Sequence, residues 1–253
     1  MCIRDRHFTY FNQNQLIGDS AINIHFFDLE GLDGKRFSPF GWRVRMALAH
    51  KGLESSSIVE GIGFSEKHKL AFSNQELVPV IKDDDMIISD SWDIAVYIEK
   101  SYESSTSLFG ANNDFNQAKF ISSWVDSQLH PLIARCVVRD ILDVISPSEH
   151  EYFRKSREKR FGRSLEDVVA DRKDTRILLK QTLYPIRKAL EIGPFLGGDN
   201  PNFSDYAIFG AFMWARVTSS FQLLESSDPI YNWRERMLSL YDGLAKKAPS
   251  VDI

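Results

Sequence analysis

Cysteine is scarce. Only Cys2 and Cys136 occur in 253 residues, too few for a disulfide framework and in keeping with a reducing compartment, the cytoplasm. Long apolar runs are missing: none approaches the ~20 residues that cross a bilayer, so no membrane partner is expected. There is no basic excess either. Lys and Arg total 31 against 35 Asp and Glu, a formal net charge of −4. Neutralising phosphates needs a basic surface, so no nucleic-acid partner is expected. Several catalytic patterns are incomplete. His150-Glu151 opens an H-E-x-x pattern, but Arg154 stands where the second zinc-binding His belongs. Gly61-Ile62-Gly63 is followed by Glu66 where a third glycine would complete a dinucleotide fingerprint. The six histidines form no visible triad, and Asp83 to Asp85 read as a solvated turn, so no metal is expected.

What is present is a globular composition, 43% hydrophobic and 26% charged, with chain enough for a sizeable core. Residues 1–20 lack an apolar h-region and a small-residue cleavage site, so they do not read as a signal peptide. Their opening, MCIRD, resembles translated library-adapter sequence; this head is expected to be non-native or disordered. Residues 21–29, AINIHFFDL, are short, apolar and aromatic, the pattern of a buried strand. After a glycine-bearing loop, SPFGWRVRMALAHKG predicts a helix. Pro39 suits its first position, Val44, Ala47, Leu48 and Lys51 fall at helical spacing, and Gly52 stops it. SSIVEG reads as a second strand and SEKHKLAFSN as a weak helix. VPVI and MIIS read as strands joined by the acidic turn KDDD, and DSWDIAVYIEKSY as a helix capped by Asp90, with Ile94, Tyr97 and Ile98 on its apolar stripe. The result is a small α/β domain ending in a hairpin.

A Ser/Asn/Gly-rich linker, residues 104–114, follows, and everything after it has a helical pattern. Residues 115–145 form one long helical stretch with a bend expected at Pro131. Residues 147–192 give one or two more helices; their charged stretch from Arg154 to Arg176 carries both signs and reads as a solvated face. PNFSDYAIFGAFMWARVTS predicts a buried helix with Asn202 as N-cap and Asp205 completing a capping box. A last helix begins at Pro229. Cys136 lies in an apolar helical stretch and reads as an inert core thiol.

Three short elements of the first domain carry chemical options. Ser38-Pro39 is an ordinary helix start, or a place where backbone N–H groups and a serine hydroxyl meet an anion such as a thiolate. Val78-Pro79 is a trans strand opening, or a cis-proline that turns the Val78 main chain toward a peptide-like ligand. Asp90-Ser91 is a cap, or a pair that takes the ammonium and carboxylate of an amino-acid end.

In their order and spacing, SPFGWRVRMALAHKG, VPVI, SDSWDIAVYIE and FLGGDNPNFSDYAIFGAF resemble the landmarks of the glutathione transferase superfamily. SPFGWR, ALAHKG, YFRKSREKRFGRSLEDV and PNFSDYA are similar to its bacterial glutathione-dependent β-etherases, which break aryl ethers in lignin fragments. The resemblance implies a thioredoxin-like glutathione-binding domain over residues 21–103, a linker at 104–114, and an all-helical domain over 115–253. It implies glutathione as cosubstrate, a small aromatic electrophile as partner, and a homodimer. Ser38 takes the place of the thiol-activating residue; Val78, Pro79, Asp90 and Ser91 fall at the glutathione positions. Relatives carry Lys or Gln before the Val-Pro pair to meet the glycyl carboxylate; here that residue is Leu77, with His68, Lys67 or Gln75 as substitutes. Arg36 has no assignment from sequence.

The implied reaction is thiolate attack on a carbon bearing an aryloxy group, with loss of a phenolate. The electrophile needs an apolar, aromatic pocket, for which Phe37, Phe40, Trp124, Phe212 and Trp214 are candidates, each also readable as core. The alternatives are a general glutathione-conjugating transferase or dehalogenase, and a non-catalytic binding module. A thiol-disulfide role is disfavoured because Ser38, not cysteine, opens the helix.

Overall fold

The computed structural model describes residues 24–103, 106–110 and 114–251. The head at 1–20, the first three residues of the expected opening strand, half of the linker and Cys2 lie outside the described residues.

Strand β1 (Ile24–Leu29) is buried on both faces, with Phe26 and Phe27 facing opposite ways into the core. It pairs in parallel with β2 (Ser57–Ile62) and antiparallel with β3 (Val80–Asp83), which forms a hairpin with β4 (Met86–Ser89). The strand order is β2-β1-β3-β4. A parallel pair needs a crossover, and helix α1 (Pro39–His50) supplies it. Gly52 ends α1 at φ +70°, where a side chain would be strained. Val44, Ala47, Leu48 and Lys51 are all buried. The buried Lys51 ammonium is partnered: Nζ donates to Glu99 Oε2 at 3.0 Å and to the Thr106 carbonyl at 3.2 Å. The weak helix expected around residue 69 is a 3-10 turn, Lys67–Ser73. Only Leu70 is buried there, too little apolar surface to hold a full α-helical face. Helix α2 (Ser91–Ser101) follows β4, its first turn capped by Asp90, which accepts from Trp92 N at 2.8 Å.

The second unit is helical. Helix α3 (Phe115–Trp124) runs into a π-helical segment, Val125–Leu129, then α4 (His130–Val137). The expected bend at Pro131 thus falls about one turn earlier. A proline ring crowds the carbonyl four residues before it, here Ser127, inside the π segment. Four helices stand where one or two were expected: α5 (His150–Phe161), α6 (Leu165–Val169), α7 (Arg172–Thr182) and α8 (Tyr184–Ala189). Gly162 at φ +70°, the Ser164 cap and Pro185 punctuate them.

Helix α9 (Phe203–Thr218) is buried along nearly its whole length and opens with the expected capping box of Asn202 and Asp205. Helix α10 (Pro229–Gly243) loses helical geometry at Leu240 to Asp242. One hydrophobic core runs through both units, from Phe26 and Trp42 to Phe209 and Trp233. The fold is a thioredoxin-like mixed sheet followed by an all-helical unit, as the resemblance implied. Among the described residues, no helix is long and apolar enough to cross a membrane.

Candidate functional site

Ser38 is the N-cap of α1. Its extended backbone (φ −67°, ψ 119°) turns the side chain back over the first turn, and Oγ accepts from Gly41 N at 3.0 Å. A hydroxyl has two acceptor lone pairs and one hydrogen. The cap uses a lone pair, and among the described residues no acceptor takes the hydrogen. The helix adds a partial positive charge at this end. Ser38 is almost fully buried from bulk solvent, yet it lines a cavity of about 630 Å³.

Phe37, Phe40, Val78 and Trp214 line the same cavity. The Val78-Pro79 bond is cis, with Pro79 buried behind Val78. Asp90 and Ser91 are not in its wall: Asp90 is exposed at φ +76° and Ser91 is buried at the start of α2. His68 and Gln75 are exposed and also outside it. Lys67 and Leu77 line the cavity instead. Lys67 Nζ lies 3.8 Å from Glu76 and 5.3 Å from the Tyr152 ring centre. Arg36 is a loop clamp, paired with Glu30 and donating to the Asp28 carbonyl at 3.2 Å.

Two aromatic candidates lie elsewhere. Phe212 and Trp214 are two residues apart on α9, about 200° around a helix, so they cannot share a face. Trp214 faces the Ser38 cavity, whereas Phe212 packs edge-on against Trp233 at 6.1 Å and borders a separate hollow of about 600 Å³. Trp124 packs at the margin of the core, outside the cavity wall. The wall is completed by groups the sequence did not single out, among them Phe64, His130, Phe153, Arg157, Arg160 and Phe161.

His130 sits edge-on to Phe40 at 5.2 Å and to Trp214 at 6.1 Å. Burial, helped by the charges of Arg43 and Arg160, pushes its pKa down to about 3. The imidazole is therefore neutral near pH 7, and its 3.5 Å approach to Asp126 is not an ion pair there. Asp126 pairs with the buried Arg43 at 2.6 Å.

A sheet-plus-helices fold with a capped α1 and a residue before a cis-proline on one cavity wall narrows the field, and sequence profiles decide it. Residues 37–101 match the family described as glutathione S-transferase, N-terminal domain, and residues 117–233 match glutathione S-transferase, C-terminal domain. The chain belongs to the glutathione S-transferase superfamily.

Solved structures agree on the fold of this transferase-family chain. The glutathione S-transferase CsGST63524 of Ceriporiopsis subvermispora, solved in complex with glutathione, superposes with a TM-score of 0.74 at 22% identity, covering 87% of this chain and 96% of that one. Glutathione transferase GSTFuA3 of Phanerochaete chrysosporium gives 0.70 at 23% identity over 88% and 93%. The Tau class transferase of mango, Mangifera indica, gives 0.59 at 21% over 85% and 88%.

Beneath the first turn of α1 lies a group that no sequence pattern marked. Asp28 is fully buried, and Oδ1 accepts from Leu29 N at 2.8 Å while Oδ2 has no hydrogen-bond partner. Burial raises its pKa to about 6, against the opposing charges of Arg45 and Arg36. A Cβ at position 41 would meet Asp28 Oδ1 at 1.8 Å, so glycine is required there. Cys136 is buried and its thiol is pushed up to about 11, which leaves it unreactive at neutral pH. Among the described residues, no group of three or more His, Cys, Asp or Glu is placed to hold a metal ion.

Proposed function

We propose that this transferase-family chain binds glutathione with its sulfur at Ser38 and uses the thiolate to displace a phenolate from a β-aryl ether of the lignin-fragment type. One observation carries the reading: a capping serine, its hydroxyl hydrogen uncommitted, lines a cavity walled by aromatic rings. A free thiol of pKa ~8.5 is mostly protonated at pH 7. A hydroxyl donor and a helix N-terminus both favour the anion and lower that value. The volume, about 630 Å³, suits a small organic substrate, for which ~300–1,000 Å³ is usual.

In this reading the Val78 main chain pairs with the cysteinyl part of glutathione, with cis-Pro79 holding it in place. Asp90 and Ser91, at the α2 start, take the γ-glutamyl end. Lys67 replaces His68 as the group for the glycyl carboxylate, because Lys67 is the one in the cavity wall. Binding releases the thiol proton to solvent. The thiolate attacks the carbon bearing the aryloxy group, a C–S bond forms, the C–O bond breaks, and the phenolate leaves with the electron pair. Placing sulfur beside carbon supplies much of the rate. His130, neutral with a pKa of about 3, does not serve as the acid for the leaving oxygen; phenolate is a good enough leaving group without one. The similarity of SPFGWR and YFRKSREKRFGRSLEDV to the β-etherases supports the ether as electrophile. A homodimer belongs to the same reading, as the family resemblance implies.

The test is turnover of an α-keto β-aryl ether with glutathione, followed by phenol release. Cleavage that disappears without glutathione supports the proposal. Activity on aryl or alkyl halides with none on ethers would replace it by general conjugation or dehalogenation. Tight glutathione binding with no turnover of any electrophile would leave a binding module.

A further inference from the structure

Helix α5 carries arginines at 154, 157 and 160, and their surroundings differ. Arg154 is matched twice, to Glu158 Oε1 at 2.9 Å and Glu166 Oε2 at 2.8 Å. Arg157 and Arg160 have no carboxylate partner among the described residues, and both line the cavity that holds Ser38. The Arg157 guanidinium is half-buried, its carbon 4.9 Å from the Phe153 ring centre and 5.5 Å from that of Phe64. One of its N–H groups donates to Ser156 Oγ at 2.9 Å. Aromatic faces attract a cation by about 0.5–2 kcal/mol, but they do not neutralise it. Burial and the neighbouring charge of Arg160 pull the Arg157 pKa down.

The cavity has few acids of its own. Asp126 is taken by Arg43 at 2.6 Å, and Glu76 is 83% exposed beside Lys67. Two like charges about one turn apart, Arg157 half-buried and Arg160 exposed, both on the cavity wall and neither with a carboxylate partner among the described residues, leave the site short of negative charge. A guanidinium fork is well matched to carboxylate or sulfonate oxygens. The rings of Phe64 and Phe153 flank the Arg157 fork, Phe161 lines the same cavity, and together they would cover an aryl group attached to the anion.

We infer that the electrophile pocket selects aromatic molecules carrying an anionic substituent, a carboxylate or sulfonate, held by Arg157 and Arg160. This rests on the reading of the cavity as the electrophile site, and it narrows that site from neutral aryl ethers to acidic ones. The same two arginines could instead meet a carboxylate of glutathione, and the experiment separates the two sources.

Titration calorimetry compares naphthalene-2-carboxylate with its neutral counterpart, 2-naphthamide. The protein is measured alone, as Arg157→Met/Arg160→Met, as Arg157→Lys/Arg160→Lys, and saturated with S-methylglutathione. The expected result is at least a tenfold preference for the acid, abolished in the Met pair, largely kept in the Lys pair, and unchanged with S-methylglutathione bound. Equal affinity for acid and amide in the unaltered protein overturns the inference. Loss of the preference on S-methylglutathione saturation also overturns it, and assigns the arginines to the tripeptide. The Lys pair guards against a merely misfolded Met pair. The acid preference is read without turnover, so a chain that binds no glutathione would sink the proposed function while this inference stood or fell on the ligand comparison alone.

Discussion

The Ser38 hydroxyl divides its duties between the fold and the site. A lone pair caps α1 through Gly41 N, and the hydrogen is left for an anion. Two substitutions separate these duties. Ser38→Ala loses the cap, about 1 kcal/mol, whereas Ser38→Gly loses only a few tenths. Both lose the donor. If the hydroxyl stabilises the thiolate, both variants should raise the pKa of bound glutathione by about one unit, seen in the ultraviolet absorbance of the thiolate, while only the alanine variant unfolds earlier in urea. An unchanged thiol pKa in both would assign the activation to the helix terminus alone.

Asp28 gives a second measurable effect. Its pKa is near 6 in the folded protein against 3.8 for an ordinary Asp. Between those values the folded state holds a proton that the unfolded state has lost. Its contribution to stability is therefore full below about pH 4 and lost as pH rises through 6, a swing on the order of 3 kcal/mol. Asp28→Asn keeps an acceptor for Leu29 N but cannot ionise. Unfolding free energies at pH 4 and pH 7 should fall less steeply with pH in the variant; parallel profiles would mean that Asp28 is not held above its usual range.

Element boundaries explain what the sequence made legible. The start of α1 was readable because a cap and a first-turn proline are local features, fixed by Ser38 and Pro39 themselves. The capping box of α9 was readable for the same reason. Which way α9 faces was not. Fourteen of its 16 residues are buried, so no polar side marks the outward direction and Phe212 could not be told from Trp214. On α5 the problem is reversed. The charges read as solvated because both signs alternate, and only the packing of Phe64 and Phe153 against Arg157 turns one of them inward. Asp28 lay in an apolar strand with nothing local to show that Gly41 would come to rest on it.

Asp205 shows how much one local signal can anchor. Its carboxylate accepts from Asn202 N and Gly197 N at 3.0 Å, Leu196 N at 2.8 Å and Trp233 Nε1 at 2.9 Å. It ties the α9 start to the preceding loop and to α10. Asp205→Ala strands buried donors, each costing about 1–3 kcal/mol, so a loss of at least about 3 kcal/mol is expected in denaturant titration. Asn202→Ala, which removes one cap bond, should cost only about 1 kcal/mol. Equal losses from the two would show that the carboxylate acts as a simple cap.

The two units meet where the site is built. The cavity has a floor from the sheet domain, at Ser38 and Val78, and walls from the helical one, at His130, Phe153 and Trp214. Glu149, buried in the helical unit, accepts from Ser65 N at 2.9 Å and Ser65 Oγ at 3.1 Å across the divide. A tight approach joins α9 to the start of α1. A Cβ at position 210 would lie 2.2 Å from the Pro39 carbonyl oxygen, so the buried helix rests against the residue that follows Ser38.

That proximity makes Gly210→Ala a test of how closely the two helices sit. In a helix interior, alanine in place of glycine normally stabilises by about 1 kcal/mol. Here the methyl group meets backbone rather than a flexible side chain, and overpacking of this kind costs about 1–3 kcal/mol. The variant should therefore unfold at lower urea concentration, and, because the strain falls on the first turn of α1, it should also weaken glutathione binding several-fold if that turn holds the sulfur. Ala215→Gly on the same helix is the control: it carries the propensity cost without the clash, and should lower stability while leaving glutathione affinity unchanged. A Gly210→Ala protein more stable than its parent would mean that α9 stands off from α1 in solution, and the cavity between them would lose the close seat on which the proposed sulfur position depends.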